Sequence, residues 1–90
     1  MKKPLRMERL AYKPIGLETI ILDTKVGKEV HQLNEVASFV WNLCDGDHEI
    51  QNIIEKVCVE FEVDPAQASN DVQELIQELS AKSLLVDNSK

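Results

Sequence analysis

The stretch VHQLNEVASFVWNLCDGD, residues 30–47, passes from a strand-like segment directly into an almost wholly apolar helical segment. Asn34 is a residue type favoured at helix N-caps, Glu35 places a negative charge in the first turn, and Leu33 can act as a hydrophobic staple. Gly46 is predicted to end the helix at the C′ position. Because no loop separates the strand from the helix, we expect both to pack into one core. The apolar face of the helix consists of Val36, Phe39, Val40 and Leu43, with Ala37 and Cys44 at its margin.

The residues before this joint are strand-like. Residues 17–23 are rich in β-branched and apolar types, and the segment between them and residues 28–33 predicts a hairpin with Gly27 at a turn position. The earlier apolar residues 10–12 are followed by Pro14 and Gly16, which predict an edge strand or an irregular arm over residues 1–16. The sequence therefore predicts N-terminal antiparallel strands.

The residues after the joint predict two more helices. Apolar side chains recur with helical spacing from Ile50 to Phe61. Asp64 and Pro65 then form a helix start, an apolar stripe follows as far as Leu79, and the helix is predicted to end near Lys82. Residues 84–86 are an apolar segment that predicts either a small strand or a core plug, and residues 87–90 a tail. The predicted fold is α+β and winged helix-turn-helix-like, with strands followed by three helices in one domain, residues 1–90.

The charge is unevenly distributed. Residues 1–31 hold seven Lys or Arg and four Asp or Glu, whereas residues 32–90 hold three and twelve, so that +3 and −9 give the net charge of −6. Nucleic-acid affinity depends largely on Lys and Arg contacts to phosphates, so an acidic helical half argues against a nucleic-acid partner. The same charge favours a basic peptide or protein surface.

No catalytic or metal-binding constellation is evident. The sequence lacks a Gly-rich phosphate loop, and Cys44 and Cys58 have neither CxxC nor zinc-type spacing, so we expect reduced, buried thiols. Cys44 and His48 are four residues apart, but the predicted helix end at Gly46 falls between them. We therefore predict no enzyme activity, no metal and no cofactor. Trp41 lies at the rim of the apolar face, as a core residue or as part of a contact surface.

Targeting signals are also missing from the sequence. The lysines that follow Met1 lead into no apolar segment typical of a signal peptide, and no apolar run approaches the roughly 20 residues that span a bilayer. We expect a cytoplasmic protein that does not interact with membranes.

The ordered set of strand end, apolar helix with Trp41, Asp45-Gly46 stop, Asp64-Pro65 helix start and closing Leu84-Leu85 resembles the PqqD-like family. This family is tied to pyrroloquinoline quinone (PQQ) biosynthesis and to other ribosomally made, modified peptides. The resemblance implies a non-catalytic module, a peptide chaperone or recognition element. Such a module binds the leader segment of a precursor peptide and delivers it to a modifying enzyme, such as a radical S-adenosylmethionine (SAM) enzyme or a cyclase, or to a leader protease.

In this family the leader adds as a strand to the edge of the N-terminal sheet and lies against the third helix. Transferred to this sequence, and combined with the helical spacing of the last helix, the resemblance implies peptide contacts with Lys28, Glu29, Val30, His31, Gln32, Asp71, Leu75, Glu78, Leu79 and Lys82. Charged residues flank the Leu75–Leu79 stripe on one side, and Ser69, Gln73 and Ser80 flank it on the other. Which flank faces the groove stays open.

Two positions depart from the family pattern. Ser83 occupies the turn where many relatives have Gly, and His31 stands where relatives often have a larger aromatic residue. The alternative functions are a winged-helix DNA-binding transcriptional regulator, which would need a basic recognition helix, and a purely structural subunit. A free strand edge could also pair two copies, so the oligomeric prediction is a monomer or a weak homodimer.

Overall fold

Strands precede helices in the computed structural model, which describes residues 2–23 and 29–88. The predicted turn at Gly27, and Lys28 with it, lie outside the described residues. The elements are β1 (Pro4–Arg6), β2 (Ala11–Ile15), β3 (Glu18–Asp23), β4 (Glu29–Leu33), α1 (Glu35–Leu43), α2 (Ile50–Phe61), α3 (Pro65–Ala81) and β5 (Leu85–Asp87). This order of N-terminal antiparallel strands followed by three helices confirms the predicted α+β fold.

Strands β2, β3 and β4 form an antiparallel sheet in that order. The central strand β3 alternates as a half-buried strand should, since Thr19, Ile21 and Asp23 are buried. β2 is exposed along its whole length and carries Pro14, which is tolerated on an edge strand. Gly16, with φ of +63°, makes the tight turn between β2 and β3. Both β2 and β4 are therefore outer strands of this sheet.

The joint between β4 and α1 is built as predicted. The Asn34 side chain accepts a hydrogen bond of 2.9 Å from the backbone N–H of Ala37 and so caps α1. The Ser38 hydroxyl donates to the carbonyl of Leu33 at 3.2 Å, inside the core. These two bonds fix the angle at which the strand enters the helix.

Helix α1 ends one residue earlier than a C′ position at Gly46 predicts. The helix ends at Leu43, because the Arg6 guanidinium donates to the carbonyl of Trp41 at 2.8 Å and the Arg6 backbone N–H donates to the carbonyl of Cys44 at 2.9 Å. Gly46, with φ of +84°, lies beyond the helix. Its missing side chain matters there, because a Cβ would come within 2.7 Å of the Asn88 side chain.

Strand β1 is not predicted by the local pattern of residues 4–6. It pairs antiparallel with β5, about 80 residues later in the chain. On its other side, the Gly46 N–H donates to the Pro4 carbonyl at 3.0 Å and Leu5 bridges Asp45. The apolar segment after α3 is thus a strand, and the two ends of the described chain meet.

The core lies between the sheet and the helices. Trp41 is fully buried rather than at the rim of its helix, because its ring packs edge-on against Tyr12 of β2 with centroids 5.4 Å apart. The buried cluster includes residues from both ends of the chain: Leu10, Ile21, Leu33, Val40, Trp41, Cys44, Ile53, Ile54, Val57, Ala68, Val72, Ile76, Leu79, Leu84 and Leu85. Cys44 is buried, Cys58 is half-buried, and both thiols are free.

Candidate functional site

Strand β4 is an open edge. It pairs with β3 through the Ile21–His31 register, and among the described residues no other strand pairs with it. Its far side therefore presents backbone N–H and C=O groups that the sheet does not use. Such an edge must be covered, protected or used for binding.

A cleft of about 380 Å³ separates this edge from α3. Its apolar lining comes from Leu33 and Ala37 on one wall and from Leu75, Leu79 and Leu84 on the other. The polar lining residues are His31, Gln32, Asn34, Glu78 and Lys82, and Val30 lies at the rim. The cleft therefore combines a free backbone edge with an apolar interior and a polar rim.

The cleft continues into a second depression of about 310 Å³. The two share Asn34, Ala37, Leu75 and Glu78, so they form one furrow along α3. The second depression adds Val36, Asp71 and Glu74. We call the two depressions together the β4–α3 furrow.

The structure brings most of the residues predicted for peptide binding into this furrow. Val30, His31, Gln32, Leu75, Glu78, Leu79 and Lys82 line its first part, and Asp71 lines its second part. Glu29 begins β4 without lining the furrow, and its carboxylate lies 3.6 Å from the His31 ring nitrogen Nε2. Lys28 falls outside the described residues.

The flank of α3 that faces β4 is the charged one. Glu78 and Lys82 line the furrow, whereas Gln73 and Ser80 line a separate depression of about 550 Å³ beside Ile50. The register of α3 on the core decides this, because Val72, Ile76 and Leu79 must all be buried.

Sequence reasoning did not assign several furrow residues to the site. Leu33, Asn34 and Ala37 belong to the strand–helix joint, and their pattern indicated only a cap and a core. Leu84 was predicted as part of a small strand or core plug. Glu74 lies between Asp71 and Glu78 on the same face of α3, so the three-to-four-residue spacing of these acids was the signal that could have identified it.

The furrow carries an uneven charge. Asp71 and Glu74 lie in its second part, and Lys82 lies in its first part beside Glu78, with Nζ and Oε1 3.2 Å apart. Asp71 also accepts a hydrogen bond of 2.8 Å from the Gln67 amide. Three carboxylates against one ammonium leave the α3 wall acidic.

Arg9 ties strand β3 to the C-terminal end of α3. Its guanidinium lies 3.0 Å from the Asp23 carboxylate of β3 and donates to the Ser83 carbonyl, just after α3, at 3.3 Å. The Asp23 side chain is only 8% exposed, so this ion pair is screened little by water. The contact fixes the spacing between the sheet and the C-terminal end of α3.

Metal-ligand chemistry is not assembled in the described part of the chain. No group of three or more His, Cys, Asp or Glu side chains there could hold a metal ion. His48 instead lies 2.9 Å from Asp45, and this hydrogen bond, with one from the Asp47 backbone, holds the pKa of the Asp45 carboxyl below its usual value. Burial raises the pKa of the Cys44 thiol to about 12, so Cys44 is protonated and unsuited to bind a metal or act as a nucleophile.

The helices described here do not have the length and apolarity needed to cross a membrane. The longest of them, α3, has seventeen residues, three of them acidic.

Comparison with known proteins identifies the family. No curated protein matches this chain. Among solved structures, TbiB1 in complex with the TbiA(beta) leader peptide is similar in fold, with a TM-score of 0.83 and 22% sequence identity over 96% of this chain and 99% of that chain. The family model for coenzyme PQQ synthesis protein D (PqqD) matches residues 18–85, three quarters of the sequence and all of the β4–α3 furrow that the structure describes. The predicted resemblance is therefore confirmed, and this chain belongs to the PqqD family.

Proposed function

We propose that this chain is a non-catalytic module that captures the leader segment of a ribosomally made precursor peptide. The leader adds as a strand to the free edge of β4 and presses its side chains into the β4–α3 furrow. The observation that carries this proposal is the open edge lying directly beside an apolar furrow. Strand addition needs both parts, because backbone bonds supply affinity and side-chain pockets supply specificity.

The dimensions of the site suit a short extended segment. β4 has five described residues, which at about 3.4 Å per residue pair with roughly 17 Å of peptide. Every second side chain of such a peptide points toward the furrow, where the interior is formed by Leu75, Leu79 and Leu84. We expect apolar peptide side chains at these alternate positions.

The acidic wall selects the charge of the peptide. Asp71 and Glu74 flank one part of the furrow, and the Glu78 carboxylate is shared with Lys82. A basic side chain in the peptide would be attracted there and an acidic one repelled. The leader is therefore expected to combine apolar residues with at least one Lys or Arg.

Captured peptide is then presented to a modifying enzyme. Family membership supports a role in making a modified peptide, and the solved complex of TbiB1 with the TbiA(beta) leader peptide supports leader capture. The receiving partner is proposed to be a radical SAM enzyme, a cyclase or a leader protease. The chain itself is proposed to act in the cytoplasm, as a monomer or a weak homodimer, without cofactor.

The test is a titration of the chain with the leader of the precursor peptide encoded beside its gene. We expect a Kd in the micromolar range or tighter, equivalent to about 8 kcal/mol. Leu75→Lys places a charge inside the furrow and should raise the Kd at least ten-fold. Gln77→Lys makes the same change in charge two residues along α3. Gln77 lines the separate depression beside Ile50, outside the furrow, so this variant should alter the Kd less than two-fold.

A second pair of variants tests strand addition itself. The N–H groups of neighbouring residues in a strand point to opposite sides, so Val30→Pro and His31→Pro remove one N–H on the free edge and one on the β3 side. One variant should stay folded and lose peptide affinity, and the other should lose stability. If both stay folded and bind the leader as the parent does, the peptide does not add to β4.

The DNA-binding alternative is not favoured by the third helix. Residues 65–81 hold three acidic and no basic residues, whereas a recognition helix approaches phosphates. Duplex DNA that bound more tightly than the leader, with a steep dependence on salt, would reverse this preference.

A further inference from the structure

A second concave surface lies on the other side of α1 from the furrow. It consists of a depression of about 670 Å³ between α1 and α2 and a smaller one of about 170 Å³ beside the β2–β3 turn. Phe39 and Glu60 line both depressions, so they are continuous. We call this the hairpin–α2 surface.

Two large apolar side chains stand exposed on this surface. Leu17 at the tip of the β2–β3 turn is 70% exposed, and Val59 on α2 is 81% exposed. Between them the Phe39 ring is half-buried and packs edge-on against Phe61, with centroids 5.4 Å apart. A single exposed apolar residue is ordinary, whereas exposed apolar side chains gathered on one surface with a polar rim are a feature of interaction sites.

The charged residues of this surface are mostly acidic. Four carboxylates line it, against the single ammonium of Lys56. Glu18 accepts a hydrogen bond of 2.8 Å from Gln32, and within residues 2–23 and 29–88 none of the other three forms a hydrogen bond or an ion pair. The four are Glu18, Glu35, Glu55 and Glu60. Their charges are thus available to a partner.

The hairpin–α2 surface and the β4–α3 furrow are separate. They share no lining residue, and α1 divides them, with Val36 and Ala37 turned to the furrow and Ser38, Phe39 and Asn42 to the other surface. A protein bound on one side of α1 would leave the other side free.

We infer that the hairpin–α2 surface docks the protein that receives the captured peptide, through a patch of that protein with an apolar centre surrounded by Lys and Arg. The charge complementarity fixes the chemistry of the partner, because four carboxylates around Leu17 and Val59 repel an acidic surface and attract a basic one. This inference rests on the proposed function, since a carrier must hold peptide and receiver together. It adds a second site, with its own residues, to the chain.

The test uses the purified modifying enzyme encoded beside the gene for this chain and measures two affinities of each variant. Val59→Ser removes the more exposed of the two apolar side chains named on this surface, and Glu60→Gln removes one carboxylate at the junction of the two depressions. Glu8→Gln makes the same chemical change at an exposed position away from both sites. Thermal unfolding and circular dichroism of every variant confirm that it is folded.

We expect Val59→Ser and Glu60→Gln each to raise the Kd for the enzyme at least five-fold, and Glu8→Gln to change it less than two-fold. The Kd of the parent for the enzyme should also rise with salt, because the attraction is electrostatic. Leader affinity should stay within two-fold of the parent for all three variants.

Three results would overturn the inference. The first is that folded Val59→Ser and Glu60→Gln variants bind the enzyme as tightly as the parent does, and the second is that these variants lose as much affinity for the leader as for the enzyme. The third is that the parent binds the leader but not the enzyme. The last result leaves the proposed function in place and removes only the second site. A parent that binds the enzyme through Val59 but no leader removes the proposed function and keeps this surface.

Discussion

Ser83 is the residue at which a single substitution tests most directly whether a positive φ costs this protein stability. It follows α3 with φ of +61°, in the left-handed region that disfavours residues with a Cβ. The Leu84 N–H donates to the Leu79 carbonyl and the Ser83 N–H to the Ser80 carbonyl, both at 3.0 Å. This is the Schellman pattern, in which the residue with positive φ is usually Gly. Ser83→Gly should therefore stabilise the protein.

The magnitude follows from two opposing effects. A left-handed conformation costs a residue with a Cβ about 1–2 kcal/mol. Glycine removes that cost but has more backbone freedom in the unfolded chain, which offsets about 0.5–1 kcal/mol. We expect a net gain of about 0.5–1 kcal/mol in the free energy of unfolding. For a domain of this size the Tm rises by about 4–8 °C per kcal/mol, so the Tm of Ser83→Gly should rise by about 2–8 °C.

The assay is urea unfolding followed by the fluorescence of Trp41, the sole Trp and fully buried in the native state. The midpoint should rise while the slope m stays unchanged, because the same surface is exposed on unfolding. Ser83→Ala is the matched control. It removes the same hydroxyl but keeps the Cβ, so its midpoint should stay close to that of the parent.

The reasoning is refuted if Ser83→Gly unfolds at the same or a lower urea concentration than the parent. A Ser83→Ala variant as stable as Ser83→Gly would refute it as well, because the gain would then come from losing the hydroxyl. The leader affinity of Ser83→Gly should be unchanged, since this residue does not line the furrow.

Three further predictions concern the Arg9 contact and the two cysteines. Arg9→Met removes the ion pair with Asp23 and the hydrogen bond to the Ser83 carbonyl. In urea titrations it should lower the free energy of unfolding by about 1–3 kcal/mol, and it should also weaken leader binding. A loss of stability below about 0.5 kcal/mol would contradict the role given to this contact. In native protein at pH 8, iodoacetamide should modify Cys58 but not the buried Cys44, as read by mass spectrometry, and prompt labelling of Cys44 would contradict its burial. Stability should also fall as pH rises from about 9 toward 12, because the Cys44 thiol ionises near 9.0 when unfolded but only at about 12 when folded, and Cys44→Ala should lack this part of the loss.

The helices were predictable because their signals are local. Apolar residues at spacings of three and four mark α2, and its observed span, Ile50–Phe61, is the predicted one. Asp64 caps α3 by accepting from the Ala66 N–H at 3.0 Å, as its place before Pro65 indicates. The Asn34 cap likewise needs only its own neighbours in sequence. Cap and period are properties of a few consecutive residues, so the sequence alone determines them.

The site was only partly predictable from the residues. The turn predicted at Gly27 and the cap at Asn34 place a strand at residues 29–33, but nothing in these residues says that the strand lies at an edge or beside α3. The resemblance to the family supplied that pairing. The spacing of Leu75 and Leu79 indicates a buried stripe, and both flanks of the stripe were equally open until the tertiary structure turned Glu78 and Lys82 toward β4.

By itself, then, the sequence determined the helices, their caps, the strand–helix joint at Asn34 and the acidic character of the last helix. Only the tertiary structure decided that Pro4–Arg6 pairs with Leu85–Asp87, that α1 stops at Leu43, and that an open edge lies beside the charged flank of α3. The physical reason is the separation along the chain over which each kind of interaction acts. Periodicity and capping act over four residues or fewer, whereas these features depend on side chains that meet only after distant parts of the chain have packed together.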